Sequence, residues 1–375
     1  MAEVVSPHFP EPLETHQFWM QRCLALAHQG LGQTAPNPMV GCVVVQGDEV
    51  VGEGFHPKAG QPHAEVFALR AAGDRAQGAT LYVNLEPCNH YGRTPPCSEA
   101  VIAAQVARVV VGMVDPDPRV SGGGIERLRA AGIHVLVDVE ADACRQLNEA
   151  FIYRVTHRQP LGLLKYAMTL DGKIATANGH SAWVSSAEAR AYVHRLRSHC
   201  DAVIVGTNTV RRDNPQLTSH QTDPAALAHN PLRVVMSRSL QLPEQAKLWE
   251  TTVAPTVVFT TEDRDPALQA SLRNQQVEVI ALPEVTPKVV MDNLYQRGCS
   301  TVLWECGGTL AAQAIAQGCV QKVLAFIAPK LIGGQNALSP VGDLGLMQMT
   351  DALQLERITL EAIGQDFLIA GYLPS

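Results

Sequence analysis

The sequence is short of charge, of aromatic rings and of long apolar runs. Charged residues fill 17% of its 375 positions, below the ~25% of an average soluble protein, and aromatic residues fill 5%. Apolar residues nevertheless make up 46%, which excludes a disordered chain. No apolar run approaches the ~18 residues needed to cross a membrane. The first 14 residues lack the apolar core of a secretory leader. There is no basic excess: 29 basic residues face 36 acidic ones, a net charge of −7, which argues against a nucleic-acid binder with a broad basic face. The nine cysteines are an odd number. The expectation is a soluble, cytoplasmic chain with reduced thiols, in which Cys and His at suggestive spacing read as metal or catalytic sites before disulfides.

The length predicts two domains. Residues 1–13 hold three prolines, Pro7, Pro10 and Pro12, and read as a mobile arm. From residue 14 helical and strand patterns alternate: helices over 14–30, 64–72, 98–105, 125–131 and 143–154, strands over 39–46, 80–85, 108–114 and 133–137. That alternation is an α/β layer structure. The periodicity lapses before Pro160, which places a boundary at residue 158. A second α/β run follows over 159–375, with strands at 161–168, 202–205, 233–236, 256–259, 277–281, 301–305 and 322–328 and helices at 186–197, 291–297 and 309–316. Residues 213–230 read as a polar loop.

The strongest chemical signal is His63-Ala64-Glu65, followed by Pro87-Cys88 and Cys97. Zinc takes about four tetrahedral ligands, and a catalytic site leaves one position to water. One His and two Cys supply three. Glu65, two residues past His63, can share its helix without binding the metal, where a carboxylate takes and returns protons. This order matches the signature of zinc base deaminases, H-x-E then P-C-x-x-C, except that eight residues separate Cys88 from Cys97. The other seven cysteines, Cys42 and Cys144 among them, read as packing. His90 lies between the two cysteines and competes as a ligand.

The stretch Leu85–Cys97, together with residues 35–42 and 60–66, closely resembles the bifunctional riboflavin-biosynthesis deaminase-reductase family, over residues 14–375. The resemblance implies a cytidine-deaminase-like three-layer domain over 14–158, with zinc on His63, Cys88 and Cys97. Glu65 falls on the proton shuttle and Asn37 on a position that helps hold the pyrimidine. His90, Arg93 and Thr94 could contact the substrate. The implied reaction removes the exocyclic 2-amino group of a diaminopyrimidinone ribosylamine phosphate.

In the second half, Trp304–Leu310 reads as a strand, a Gly-Gly turn and a helix start, a place for a cofactor phosphate. It is not G-x-G-x-x-G, so a Rossmann domain is not supported. Residues 164–173, 181–183, Thr209, 213–215 and 305–309 resemble the same family's reductase. That resemblance implies a dihydrofolate-reductase-like domain that uses NADPH to reduce the ribosyl group to a ribityl chain. Ala167, Trp183, Thr209, Asp213, Ser237, Gly307, Gly308 and Thr309 fall on cofactor positions. Ser181, Arg197, Leu217, His220 and Glu305 fall on substrate positions. Lys165 or Glu305 is the candidate proton donor. The family commonly carries Arg where His220 stands, and Asp where Met236 stands. A homodimer through the reductase half, or a larger assembly, is implied.

Three other readings stand beside this one. The chain could be a deaminase with an inactive reductase-like half, resting on His220 and Met236. It could deaminate a nucleobase in RNA, but that predicts a basic face and a short Cys pair, whereas residues 1–158 carry 12 basic and 17 acidic residues. It could be a zinc-stabilised binding module, but a structural site is closed by four protein ligands and only three are evident.

Overall fold

The computed structural model describes residues 9–91, 95–117, 120–219, 229–262 and 264–374. The chain divides into two compact units, Met1–Arg158 and Gln159–Ser375, each with its own sheet.

The first unit holds strands β1 (Gly41–Gln46), β2 (Glu49–Phe55), β3 (Thr80–Val83), β4 (Arg108–Val111) and β5 (His134–Leu136), in the order β2-β1-β3-β4-β5. β1 is antiparallel to both neighbours, whereas β3, β4 and β5 run parallel. The helices are α1 (Leu13–Ala27), α2 (Ala64–Ala72), α3 (Cys97–Ala103), α4 (Gly123–Ala130), α5 (Ala141–Leu147) and α6 (Glu149–His157). Val43, Val44, Leu81, Val109 and Val110 are fully buried because residues of both parities in these strands meet a covering layer.

Two glycines decide how closely α2 approaches. A β-carbon on Gly52 would collide with Ala68 O and Ala72 N, and one on Gly54 with Phe67 Cβ. A β-carbon on Gly41 would instead strike Cys23 of α1. Gly41 and Cys42 point to opposite faces of β1, and Cys42 lies opposite Gly54. So α1 and α2 cover opposite faces of one sheet, giving three layers.

The second unit is a nine-stranded sheet ordered β10-β9-β8-β7-β11-β6-β12-β14-β13. Its strands are β6 (Leu161–Thr169), β7 (Ala202–Gly206), β8 (Leu232–Met236), β9 (Thr256–Thr261), β10 (Glu278–Leu282), β11 (Thr301–Trp304), β12 (Lys322–Ala328), β13 (Glu356–Ile363) and β14 (Asp366–Tyr372). All neighbours are parallel except β12–β14 and β14–β13. Helices are α7 (Ala187–Ser198), α8 (Thr207–Asp213), α9 (Pro266–Asn274), α10 (Pro287–Gln296) and α11 (Gly308–Ala316). Trp304 is fully buried, with its indole N–H donating to Cys319 O at 2.9 Å. Buried Arg233 donates to four carbonyls, those of Gln216, Lys247, Glu250 and Ala254, which ties the loops around it together.

Several elements differ from the sequence expectation. The helix expected over 143–154 is two helices, broken at Asn148. Helices α8 and α9 and the hairpin β13–β14 had no counterpart. The expected arm is packed where it is described: Phe9 is buried and Glu11 pairs with Arg108 at 2.9 Å, while residues 1–8 lie outside the described residues. Part of the expected loop over 213–230 likewise lies outside them, and Asp213 itself closes α8.

The seating of α2 yields a prediction. Gly52→Ala should lower stability by about 1–3 kcal/mol, as overpacking does, measured by chemical denaturation. It should also reduce the zinc retained per chain after gel filtration, because His63 and Glu65 move with α2.

Candidate functional site

The residues singled out in the first unit meet where two helices begin. His63 is the extended N-cap of α2 (φ −76°, ψ 165°), and Glu65 lies in that helix's first turn. Cys97 is the first residue of α3, behind Pro96. Cys88 arrives on the segment leaving β3, and its carbonyl accepts from Ser98 N at 3.1 Å. His63 Nδ1 lies 3.2 Å from Cys97 Sγ and 3.6 Å from Cys88 Sγ, and Cys97 N–H donates to Cys88 Sγ at 3.3 Å. All three ligand atoms fall within 4.8 Å of one another, the one such cluster of His, Cys, Asp and Glu among the described residues.

The electrostatics suit a soft divalent cation. Hydrogen bonding from Cys97, with His63 close by, holds the Cys88 thiol well below its usual range, while the same pairing and burial push Cys97 up. One thiolate is thus available at neutral pH, and a metal deprotonates the second outright. Burial pushes the Glu65 carboxyl up to about 6, and its Oε2 is buried with no partner. Two sulfurs and one imidazole fit zinc and leave one coordination position open. His90, the competing ligand, is exposed and outside the cluster. Arg93 and Thr94 lie outside the described residues.

Asn37 sits on the same rim. Its Nδ2 donates to His56 Nε2 at 3.1 Å, and His56 Nδ1 donates to Pro62 O at 3.0 Å. Burial lowers the pKa of His56, which keeps the ring neutral and its Nε2 an acceptor. The sequence reading missed His56, because a histidine seven residues before His63 matches no ligand spacing. It also missed Glu86, whose carboxylate accepts from the backbone N–H of Asp115, Gly122, Gly124 and Ile125. The only signal for Glu86 was a charge directly after an apolar strand.

In the second unit the residues gather towards the carboxyl ends of parallel strands, where open α/β sheets take ligands. Lys165 and Ala167 lie on β6, two residues apart and so on one face. Glu305 follows β11, and Gly307 caps α11, which begins at Gly308 and Thr309. A β-carbon on Gly307 would meet nothing, whereas one on Gly308 would strike Ser339 O. Ser237 follows β8, is buried, and accepts from Thr207 Oγ1 at 2.9 Å. Thr209 and Asp213 lie on α8, and Ser181 is paired with the Asp213 carboxylate. Trp183 is exposed, stacked under the Arg190 guanidinium at 4.6 Å, and its carbonyl accepts from Lys330 Nζ at 2.8 Å. Leu217 is buried with φ +55°. His220 lies outside the described residues.

Glu305 is the electrostatic centre of this group. Arg197 Nε and Nη2 donate to its two oxygens at 2.6 and 2.9 Å, Arg197 Nη1 donates to Thr218 O at 3.1 Å, and Lys165 Nζ stands 3.8 Å away. Burial pushes Glu305 up, but the Arg197 and Lys165 charges outweigh it and hold the carboxyl at about 2. Burial lowers the Lys165 pKa against the pull of Glu305. All three nitrogens of Arg197, one of the expected substrate positions, are thus engaged within the protein.

Removing one partner of this pair should cost about 3–5 kcal/mol, so Arg197→Met is expected to melt the second unit well below the parent chain. The pair also has a pH signature. The Glu305 pKa is depressed, so its contribution is complete above about pH 4.5 and is lost as pH falls towards 2. Denaturation followed across that range should show this acid limb in the parent and not in Arg197→Met.

Comparison with known proteins reports on both units. Residues 13–113 match the family model of the cytidine and deoxycytidylate deaminase zinc-binding region, and residues 160–369 match that of the RibD C-terminal domain. A Synechocystis relative, "Riboflavin biosynthesis protein RibD", is 61% identical over 96% of this chain and 96% of its own. The solved RibD of Acinetobacter baumannii aligns with a TM-score of 0.87 at 37% identity, over 96% of this chain and 99% of that one. A Thermotoga maritima structure described as a diaminohydroxyphosphoribosylaminopyrimidine deaminase/5-amino-6-(5-phosphoribosylamino)uracil reductase aligns with a TM-score of 0.85 at 35% identity, over 97% of this chain and 99% of that one. With zinc-binding deaminase and reductase halves both present, the chain belongs to the RibD family of bifunctional deaminase-reductases in riboflavin biosynthesis.

Proposed function

We infer that the two units act in turn on one pyrimidine. The first converts 2,5-diamino-6-(5-phosphoribosylamino)pyrimidin-4(3H)-one to 5-amino-6-(5-phosphoribosylamino)uracil. The second reduces that product to the ribitylamino compound. The observation that carries the first step is two sulfurs and an imidazole nitrogen within 4.8 Å of one another, with the partnerless Glu65 Oε2 in the first turn of the helix that His63 caps. His63, Cys88 and Cys97 hold one zinc per chain, which when bound supplies the Lewis acidity that makes water nucleophilic at neutral pH. Asn37 hydrogen-bonds the pyrimidine and orients it. Glu65 takes one proton from the attacking water to a ring nitrogen, then carries the proton of the new hydroxyl to the amino group as the C–N bond breaks and ammonia leaves. Its elevated pKa suits a group that must both accept and give.

For the second step, NADPH supplies the hydride and the protein aligns the opened sugar against it. Ala167, Trp183, Thr209, Asp213, Ser237, Gly307, Gly308 and Thr309 line the cofactor, and Ser181, Leu217 and His220 the substrate. Of the two candidate proton donors, the charge arrangement favours Lys165. A carboxyl held at about 2 by Arg197 has no proton to give, whereas Lys165 carries one on a pKa brought down by burial. Glu305, held by Arg197, keeps the Lys165 ammonium in place. The nine cysteines are all free, and no helix among the described residues is long and apolar enough to cross a membrane. Both support a cytoplasmic enzyme. The exposed Ile358, Leu360 and Phe367 on the β13–β14 edge support a homodimer through the reductase half, since an edge strand with bare apolar side chains seeks a partner. Leu360→Lys should then shift the molar mass by light scattering from dimer to monomer.

The decisive assay supplies the diaminopyrimidinone ribosylamine phosphate to zinc-loaded protein, with and without NADPH. Ammonia should appear in both arms, and NADPH should be consumed only after ammonia release. Glu65→Gln should abolish ammonia release with zinc content unchanged, while Lys165→Met should abolish NADPH oxidation alone. A zinc-loaded parent that releases no ammonia overturns the reading.

A further inference from the structure

The break at Asn148 carries an inference that the reaction scheme leaves open. Asn148 lies between α5 and α6, distant in sequence from any metal ligand, and is 2% exposed. A carboxamide carries one acceptor and one donor group, the complement of a peptide's N–H and C=O. Asn148 uses both on a single residue: Met39 N–H donates to its Oδ1 at 2.8 Å, and its Nδ2 donates to Met39 O at 3.0 Å. Fully buried Asn84 shares the Met39 carbonyl and reaches one peptide further along. Its Nδ2 donates to Met39 O at 3.0 Å, and its Oδ1 accepts from Gly41 N–H at 2.8 Å. Between them, two buried asparagines take over the hydrogen bonding of the segment that leads into β1.

That segment carries Asn37, two residues before Met39. The Asn37 amide is held at a second point by His56, whose own N–H donates to Val40 O at 2.9 Å and whose ring donates to Pro62 O, next to the ligand His63. One edge of the Asn37 loop is thus fixed to the metal corner through His56, and the other to the α5–α6 junction through Asn148.

We propose that Asn148, backed by Asn84, is a positioning residue for deamination: by fixing Met39 it sets where Asn37 offers its amide relative to the metal corner. This rests on the reading of Asn37 as the group that holds the pyrimidine. A buried asparagine that merely satisfied the backbone would contribute to stability and nothing else. A positioning residue must act on substrate affinity, and only through Asn37.

The test is a double-mutant cycle on the full-length, zinc-loaded enzyme, reading deaminase KM and kcat, zinc per chain, and reductase rate on the deaminated product. Asn148→Asp keeps the acceptor for Met39 N–H and sets a carboxylate oxygen against Met39 O. In the parent background it should raise KM about tenfold, with kcat within about threefold and with zinc and the reductase rate unchanged. In an Asn37→Ala background it should raise KM no further. An unchanged KM in the parent, or an equal further rise in the Asn37→Ala background, overturns the proposal. If Asn148→Asp loses zinc and reductase activity together, Asn148→Ser, whose shorter side chain releases Met39 without adding charge, is judged by the same criteria. An Asn37→Ala enzyme with parental KM refutes the premise about Asn37 instead, which separates that failure from failure of the clamp.

Discussion

Backbone-to-backbone contact between α2 and β2 is the constraint on which the metal corner depends. Without side chains on Gly52 and Gly54, the helix rests directly on the strand, and its first turn projects His63 and Glu65 past the sheet. The second helix start, at Cys97, then needs only to face the first. Two helix N-termini pointing at one spot also bring positive partial charge to it, which favours the thiolate and carboxylate forms that a cation then stabilises further. Ligand geometry here follows from how closely two elements pack, and the ligand spacing in sequence is a consequence of it.

In the second unit the organising interaction is ionic. Glu305 occupies a place where burial alone would protonate it, and two cations keep it charged. Such an arrangement is a weak contributor to net stability when compared with an apolar replacement, but it is costly to half-remove. It therefore fixes the relative positions of β6, α7 and the end of β11, the elements that carry Lys165, Arg197 and Glu305. A pre-set charge pattern costs no reorganisation during reaction.

Much of this was legible in the sequence. The cluster of His63, Cys88 and Cys97 with Glu65 in the same helix start was, because metal chemistry demands particular residue types in a particular order. The alternating elements were too, with α2 starting at the expected residue 64, because burial imposes periodicity. The supports were not legible. Nothing in the spacing of Asn84, Asn148 or His56 marks them, since each acts on backbone or on one other side chain far along the chain. Asn148 even sits inside a helical pattern, and tertiary hydrogen bonds overrode that pattern. Helix α8 is seven residues and polar on its outer side, and β13 is exposed at nearly every position, so neither carries the contrast that reveals an element. Arg197 and Glu305 were each expected at substrate positions, but their pairing depends on a contact 108 residues apart that no spacing reveals.

The clamp at Asn148 and the cradle around Glu86 bear on how the deaminase half can be divided. The matched zinc-binding region ends at residue 113, after His63, Glu65, Cys88 and Cys97. Yet the amides that hold Glu86 lie at 115–125, and the clamp lies at 148. A fragment cut at the end of the recognisable region would keep His63, Glu65, Cys88 and Cys97 but lose the amides that hold Glu86, two residues before Cys88, and the clamp on the Asn37 loop. The smallest transplantable deaminase is therefore set by its scaffold, and it extends through the start of α6.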